Sequence, residues 1–310
     1  MTPDELNNEC VDRLTAADLA GRVVVVGSGP SSPYVAPIGK LQESLCARCG
    51  ISKNSGERFS AFSQRAHEGN ASQYFSVLKE TYGDTPHWSA DVYQHLANIP
   101  FKGFATFNYD DQLPKAFRNR FPATAATHFS VYPPRNGQTY FAALELLSQP
   151  PRLMALHGYC DPDNDEWEKQ IILRAPDYQQ HYIDHPALLF EWWRNLLLSV
   201  PCIFVGTSLE EPGLYRVMEY LLPHSRDRLS NLDHLHLIDV QLDPVSLLYP
   251  ARRKSLGEID RVYFDRLDDR YSGLLKVLSH FSRLPTDRPS PRAPAPKPIT
   301  ALDTIDFDSL

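Results

Sequence analysis

The 310-residue chain is long enough for one large core or two modest ones. With 42% apolar and 22% charged residues it is an ordinary globular composition, and a formal charge of −7 excludes bulk affinity for nucleic-acid phosphates, which needs clustered Lys and Arg. Five scattered cysteines exclude a disulfide framework, and the most apolar stretch, 196–206, is broken by Pro201 and too short to span a bilayer.

Residues 1–20 are acidic and lack the apolar centre of a secretory signal, so a cytoplasmic protein is expected. Thr2, Pro3 and Glu5 read as a helix start, with Thr2 as N-cap, Pro3 in the first turn and Glu5 closing a capping box. Arg22-Val-Val-Val-Val-Gly27 follows, an unalternating β-branched run of the kind buried on both faces of a parallel sheet. Similar runs recur at 103–107, 153–156, 202–206 and 235–240, with a sixth at 261–264. Helical patterns at 140–148, 186–199 and 211–222 have the length of βαβ crossovers. The expected fold is therefore α/β: a doubly wound, mostly parallel, six-stranded Rossmann-like sheet.

The interval between the first two strands is too long for one crossover. Helical signals at 40–49, 57–67, 71–82 and 89–97 predict a helical insertion over about 39–100, roofing the carboxyl edge of the sheet. The globular domain should span 1–284. Beyond it, residues 285–310 form a Pro-rich segment expected to be disordered, ending in an acidic and apolar stretch that is either a frayed tail or a docking peptide.

Ligands of open parallel sheets bind at the carboxyl ends of the strands, so the loops there carry the chemistry. Gly27-Ser28-Gly29 after the first strand lets the backbone turn tightly and approach a pyrophosphate, or is simply a tight turn. Ser32 stands where the dinucleotide fingerprint has its third glycine. After the second strand, Thr106-Phe107-Asn108-Tyr109-Asp110 spaces Asn108 and Asp110 to face one pocket, although Asp110 or Asp111 also suits the N-cap of a helix over 112–118. After the third, His157 beside Gly158 is placed as a general base or is a structural histidine. Gly206-Thr207-Ser208 after the fourth offers hydroxyls to phosphate or ribose, or caps a helix.

Taken in order, Gly27-Ser28-Gly29, Thr106 to Asp110, Leu156-His157-Gly158 and Gly206-Thr207-Ser208-Leu209 resemble the ordered motifs of the sirtuin superfamily over roughly residues 20–283. The likeness is closest to bacterial sirtuin-like domains that act as NADases in antiphage defence. The resemblance implies NAD as substrate, with Gly27, Ser28 and Gly29 at the pyrophosphate. It implies that Thr106 is among the NAD-binding residues, that Asn108 positions the nicotinamide ribose or the attacking water, and that Asp110 holds the carboxamide. His157 would be the base, Gly206, Thr207 and Ser208 would meet phosphate or ribose on the adenosine side, and Asp239 a ribose.

The departures from the family are chemical. Only Cys160 and Cys202 lie between His157 and Gly206, so the four-cysteine zinc module of deacylating sirtuins is missing and no metal is expected. Cys46-x-x-Cys49 and His234-x-His236 read as structural. Phe107 replaces the deacylase glutamine, and no Asp-Phe-Arg flap follows Gly29. The expected activity is NAD hydrolysis at the nicotinamide–ribose bond, in an effector that depletes NAD during antiphage defence. The alternatives are an ADP-ribosyl or acyl transferase, or a module that binds NAD or ADP-ribose. An NADase must be restrained in its own cell, so a homo-oligomer or a separate activating protein (an ATPase, an Argonaute-like protein or a sensor) is expected, with neither direct nucleic-acid nor membrane contact. Trp192 and Trp193 are candidate contacts for that partner or plain core residues.

Overall fold

The computed structural model describes residues 2–31, 35, 38–83, 91–133, 143–161, 166–184, 188–207, 209, 211–241, 254–255, 259–268 and 271–282. Ser32, Ser208 and the expected tail over 285–310 lie outside these residues.

Among the described residues eight strands form one sheet: β1 (Val23–Val26), β2 (Gly103–Thr106), β3 (Phe129–Val131), β4 (Arg152–Ala155), β5 (Cys202–Val205), β6 (Leu235–Asp239), β7 (Lys254–Ser255) and β8 (Ile259–Phe264), in the order β3-β4-β2-β1-β5-β6-β8-β7. Seven strands run parallel, and β7 pairs antiparallel with β8. The six strands read from sequence are all present, and the count is corrected to eight by two edge elements. β3 has three residues and β7 two, too short to produce the apolar run that marks a strand covered on both faces.

Alternate residues of each strand feed two separate cores. Val24, Val26, Phe104, Ile203, Val205, Leu235 and Leu237 pack on one face with α1 (Pro3–Ala16) and with helices near the chain end and from the first connection. Val23, Val25, Ala105, Met154, Cys202 and Phe204 pack on the other. All four valines of β1 are completely buried, each worth about 1.5–3 kcal/mol. This is why the run lacks any polar alternation. From β1 the chain passes to its neighbour β2, on to the edge strand β3, back to β4 between them, and then crosses to the other side of β1 at β5. The reversal puts the topological switch point between β1 and β5.

The first connection carries α2 (Ile38–Cys49), α3 (Phe59–Gly69), α4 (Ala71–Leu78), a wider π turn over Lys79–Gly83, and α5 (Asp91–Asn98). Helices α2 to α4 form a third core with Cys160, Trp167, Ile171 and Leu173, all from the segment that follows β4, which sets them over the carboxyl ends of β2 and β4. Next come α6 (Gln112–Arg120), α7 (Ala125–His128), α8 (Ala175–Tyr178), a π turn over Gln179–Ile183, α9 (Leu188–Leu197), α10 (Pro212–Asn231) and α11 (Ser272–Ser279). Of the pattern read at 140–148, the described residues 143–148 form a 3-10 turn over Ala143–Leu147, and Pro150 and Pro151 follow it closely. Trp192 and Trp193 are buried core residues of the second face. The predicted box at the first helix is formed: Thr2 Oγ1 accepts from the Glu5 N–H at 3.2 Å, and Glu5 Oε2 accepts from the Thr2 N–H at 2.7 Å. Among the described residues no helix is long and apolar enough to cross a membrane.

Candidate active site

The strand register aligns the chemistry-bearing loops. Val26 pairs with Thr106 and Val205, Thr106 with Ala155, and Val205 with Leu237. Two residues beyond these positions stand Ser28, Asn108, Thr207, His157 and Asp239. Five neighbouring strands thus deliver five of the sequence candidates to one row, in the order His157, Asn108, Ser28, Thr207, Asp239, with steps of about 4.8 Å between strands.

At the switch point the loops after β1 and β5 lie directly on each other. The Gly29 N–H donates to the Gly206 carbonyl at 2.8 Å. A Cβ on Gly27 would stand 2.4 Å from that carbonyl, and one on Gly206, whose φ is +66°, would stand 2.2 Å from Pro30 Cδ. The glycines here are used for loop-against-loop contact, and the Gly29 amide is spent on it. Ser28 remains exposed, and Thr207 is half-buried with its Oγ1 accepting from the Leu209 N–H.

A buried polar network surrounds Asn108, which is 4% exposed. Thr106 is fully buried, and its hydroxyl donates to the Val26 carbonyl and accepts from the Asn108 N–H, so it clamps the backbone and faces no open space. Asn108 Nδ2 donates to the Tyr93 hydroxyl at 2.9 Å, and Tyr93 meets Ser31 Oγ at 2.5 Å. Ser31 donates to Asp110 Oδ2 at 2.9 Å, while Asp110 Oδ1 accepts the Gln112 N–H at 3.0 Å. Asp111 is the N-cap residue of α6 but makes no side-chain cap bond, and Asp110, one position earlier, takes the first N–H of the helix instead. Burial raises the Asp110 carboxyl to about 6, against the pull of these two donors. Asn108 Oδ1, in contrast, is a buried acceptor without a partner. A buried carbonyl left unmatched is costly, and such groups mark places where a donor from outside the protein fits.

His157, 1% exposed, sits in an aromatic box made by Phe107, Tyr109, Tyr178 and Tyr182. Trp193 stacks behind Phe107 at 5.3 Å. Its Nε2 lies 2.8 Å from the Tyr182 hydroxyl and 3.5 Å from Glu211 Oε1. Burial, helped by His181, lowers the imidazole to about 3, so it is neutral at pH 7. Glu211 is the N-cap of α10, accepting from the Gly213 and Leu214 N–H groups, and burial raises it to about 7. Gly158 turns the chain away at φ +72°, where a Cβ would meet the Gln170 carbonyl at 2.2 Å.

Asp239 is buried at the far end of the row, where Oδ1 accepts the Gln241 N–H and Oδ2 lies 3.5 Å from Arg266 Nε. His234 is structural: its Nδ1 accepts from the Cys202 N–H and its Nε2 donates to the Leu197 carbonyl. His236 Nε2 donates to the Thr207 carbonyl at 2.7 Å and so ties β6 to the β5 loop. Among the described residues no group of three or more His, Cys, Asp or Glu could hold a metal ion.

Four residues of the site escape sequence reasoning: Ser31, Tyr93, Tyr182 and Glu211. Tyr93 comes from a helical segment whose inward face reads as ordinary core, and Tyr182 stands on the π turn, between the elements read from sequence. Glu211 had a signal, since a Glu before Pro at a helix start is an unusual cap where Ser, Thr, Asp or Asn is expected.

No curated protein matches the sequence. Among solved structures the chain is similar to one described as "Structural Basis for the Mechanism and Regulation of Sir2 Enzymes", with 14% identity, a TM-score of 0.42, and coverage of 88% of this chain and 97% of that chain. At that level the fold assignment rests on the strand order itself. Residues 102–249 match the family model of the SIR2-like domain, a segment that holds Asn108, Asp110, His157, Thr207 and Asp239.

Proposed function

We propose that this protein hydrolyses NAD at the nicotinamide–ribose bond, with Asn108 and His157 as the reacting pair. The observation that carries this reading is the Asn108 carboxamide. Its Nδ2 is held by the Tyr93 hydroxyl, its backbone N–H by Thr106, and it keeps a buried, unpartnered Oδ1, one strand away from a neutral histidine. A ribose hydroxyl or a water supplies the donor that Oδ1 lacks. The similarity of residues 102–249 to the SIR2-like domain supports NAD as the substrate class.

Cleavage builds positive charge on the ribose while nicotinamide leaves as a neutral molecule. The Asp110 carboxylate, mostly ionised at pH 7, supplies charge complementarity from within the Asn108 network. His157, neutral at that pH, takes the proton of the attacking water. Ser28 and Thr207 face outward at the switch point and are the phosphate contacts in this reading, with Gly27, Gly29 and Gly206 allowing the backbones to approach.

One observation favours restraint. The His157 imidazole is 1% exposed and closed in by Tyr178 and Tyr182, so full activity requires the 179–183 segment to shift and admit water. A second copy of the chain or a separate activator would drive that shift, as suits the NAD-depleting effector of an antiphage system. The test is nicotinamide release by the purified protein beside Asn108→Ala and His157→Ala, with and without extract from phage-challenged cells. Release lost in both variants is the expected result. Saturable NAD binding with no release in any mixture would replace hydrolysis by a binding role, and ADP-ribose found on a co-expressed protein would replace it by transfer.

A further inference from the structure

We propose that Glu211 is the positioning residue of His157, setting which imidazole nitrogen carries the proton and receiving the proton that His157 takes from water. The proposal rests on the hydrolytic reading above and adds the destination of the proton. Glu211 comes from the opposite side of the switch point, at the start of α10, while His157 follows β4, three positions away in the sheet. The two meet at 3.5 Å, with 2% of the His157 side chain and 12% of the Glu211 side chain exposed.

The cap geometry aims the carboxyl. Oε1 accepts from the Gly213 N–H at 3.1 Å and Oε2 from the Leu214 N–H at 2.6 Å. Pro212 occupies the first helical position, where its missing N–H costs nothing. A shorter capping residue would satisfy the helix but would not reach the imidazole. Gly213 leaves room for Tyr182, since a Cβ there would stand 2.1 Å from the Tyr182 ring. Glu211, Tyr182 and His157 thus form one buried cluster, faced also by Tyr178 from α8, Tyr109 after β2 and His181 on the π turn.

The charge states follow from burial, which holds His157 neutral and lifts Glu211 to about 7. Below that value the uncharged carboxyl, 3.5 Å away, leaves bare Nε2 to accept from the Tyr182 hydroxyl, with the imidazole hydrogen on Nδ1. Above it the carboxylate's charge at 3.5 Å draws the imidazole hydrogen to Nε2 and frees the Nδ1 lone pair. The Tyr182 hydroxyl, at the same nitrogen, donates in the first state and accepts in the second. In hydrolysis a water O–H bond breaks as its oxygen bonds the anomeric carbon, and the glycosidic pair leaves on nicotinamide. The water proton goes to Nδ1, the Nε2 proton passes to Glu211, and from there it is lost to solvent.

The experiment compares the full chain with Glu211→Gln, reading the imidazole 15N shifts of His157 from pH 5.5 to 8.5 beside nicotinamide release. In the wild type the shifts should pass from one tautomer to the other across about pH 7, with activity rising over the same range. In the variant the shifts should be independent of pH, and kcat at pH 8 should fall by about ten- to a hundredfold with KM little changed. Identical, pH-independent shifts in the two proteins would overturn the proposal. A flat wild-type profile does so by itself, should the variant fail to fold. Release that is lost in His157→Ala but indifferent to Glu211→Gln removes the relay and leaves hydrolysis standing. A Glu211-dependent tautomer change without any release does the reverse.

Discussion

Replacing His157 by Gln should change stability in a pH-dependent way whose size follows from its burial. The imidazole titrates at about 3 in the folded protein against an ordinary 6.5. The folded state therefore binds this proton less readily than the unfolded chain. The stability it contributes is complete above pH 6.5 and is lost as the pH falls towards 3. At pH 5 the loss is 1.5 units at about 1.4 kcal/mol each, or about 2 kcal/mol. Glutamine does not titrate, and its amide can still engage the Tyr182 hydroxyl. At pH 8 the variant should be less stable by about 1–3 kcal/mol, because the ring contacts with Phe107, Tyr109 and Tyr178 are gone. At pH 5 that gap should narrow by about 2 kcal/mol, or by roughly 4–8 °C in Tm. Asp110 and Glu211 titrate in the same window but are present in both proteins, so they cancel from the difference. Repeating the pair in the Glu211→Gln background removes their coupling to His157. Urea unfolding at the two pH values is the assay, and a gap that is constant or widens towards pH 5 would refute the assignment of His157 as a buried neutral imidazole.

Tyr93→Phe removes the hydroxyl that accepts from Asn108 and should lower nicotinamide release about tenfold or more, with less than about 1.5 kcal/mol lost in urea unfolding. Gly158→Ala and Gly206→Ala each put a Cβ into backbone or ring atoms at positive φ, and each should cost about 3 kcal/mol or more by the same measurement. Arg22→Met strands the Ala17 and Asp233 carbonyls that the guanidinium now satisfies, for a loss of about 2–4 kcal/mol. Asp233→Asn should cost much less, because the Asp233 side chain is 49% exposed and its ion pair is screened.

The parts of the fold legible in the sequence are those where burial dictates composition. The four valines of β1 and the Cys202–Val205 run of β5 are buried on both faces and carry nothing polar, while β2, β4, β6 and β8 keep enough buried apolar residues to read as strands despite Thr106, Arg152, His236, Asp239, Asp260 and Arg261. β3 and β7 lie at the two edges, where pairing is one-sided and a few residues suffice, and no pattern marks them. The site divides in the same way. Asn108 and His157 could be picked out because they follow buried strands directly, where a polar residue is conspicuous. Tyr93 and Tyr182 are partners of those residues in space only. Their rings bury like any aromatic side chain, and the hydroxyl that matters leaves no periodic trace. The Thr106 hydroxyl and the Gly29 N–H spend hydrogen bonds on holding neighbouring strands and loops together, a use that no motif spells out.

The position of β1 has a consequence for how the chain is made. The Val23–Val26 strand is synthesised first, yet it ends in the middle of the sheet between β2 and β5. On the ribosome, its second neighbour, Cys202–Val205, is still absent after two thirds of the domain has been translated. Until then a strand of four valines presents an open backbone edge, the most adhesive surface a nascent chain can offer. Truncated products that stop short of residue 202 should therefore aggregate, and those that include β5 and its following helix should be far less prone to do so.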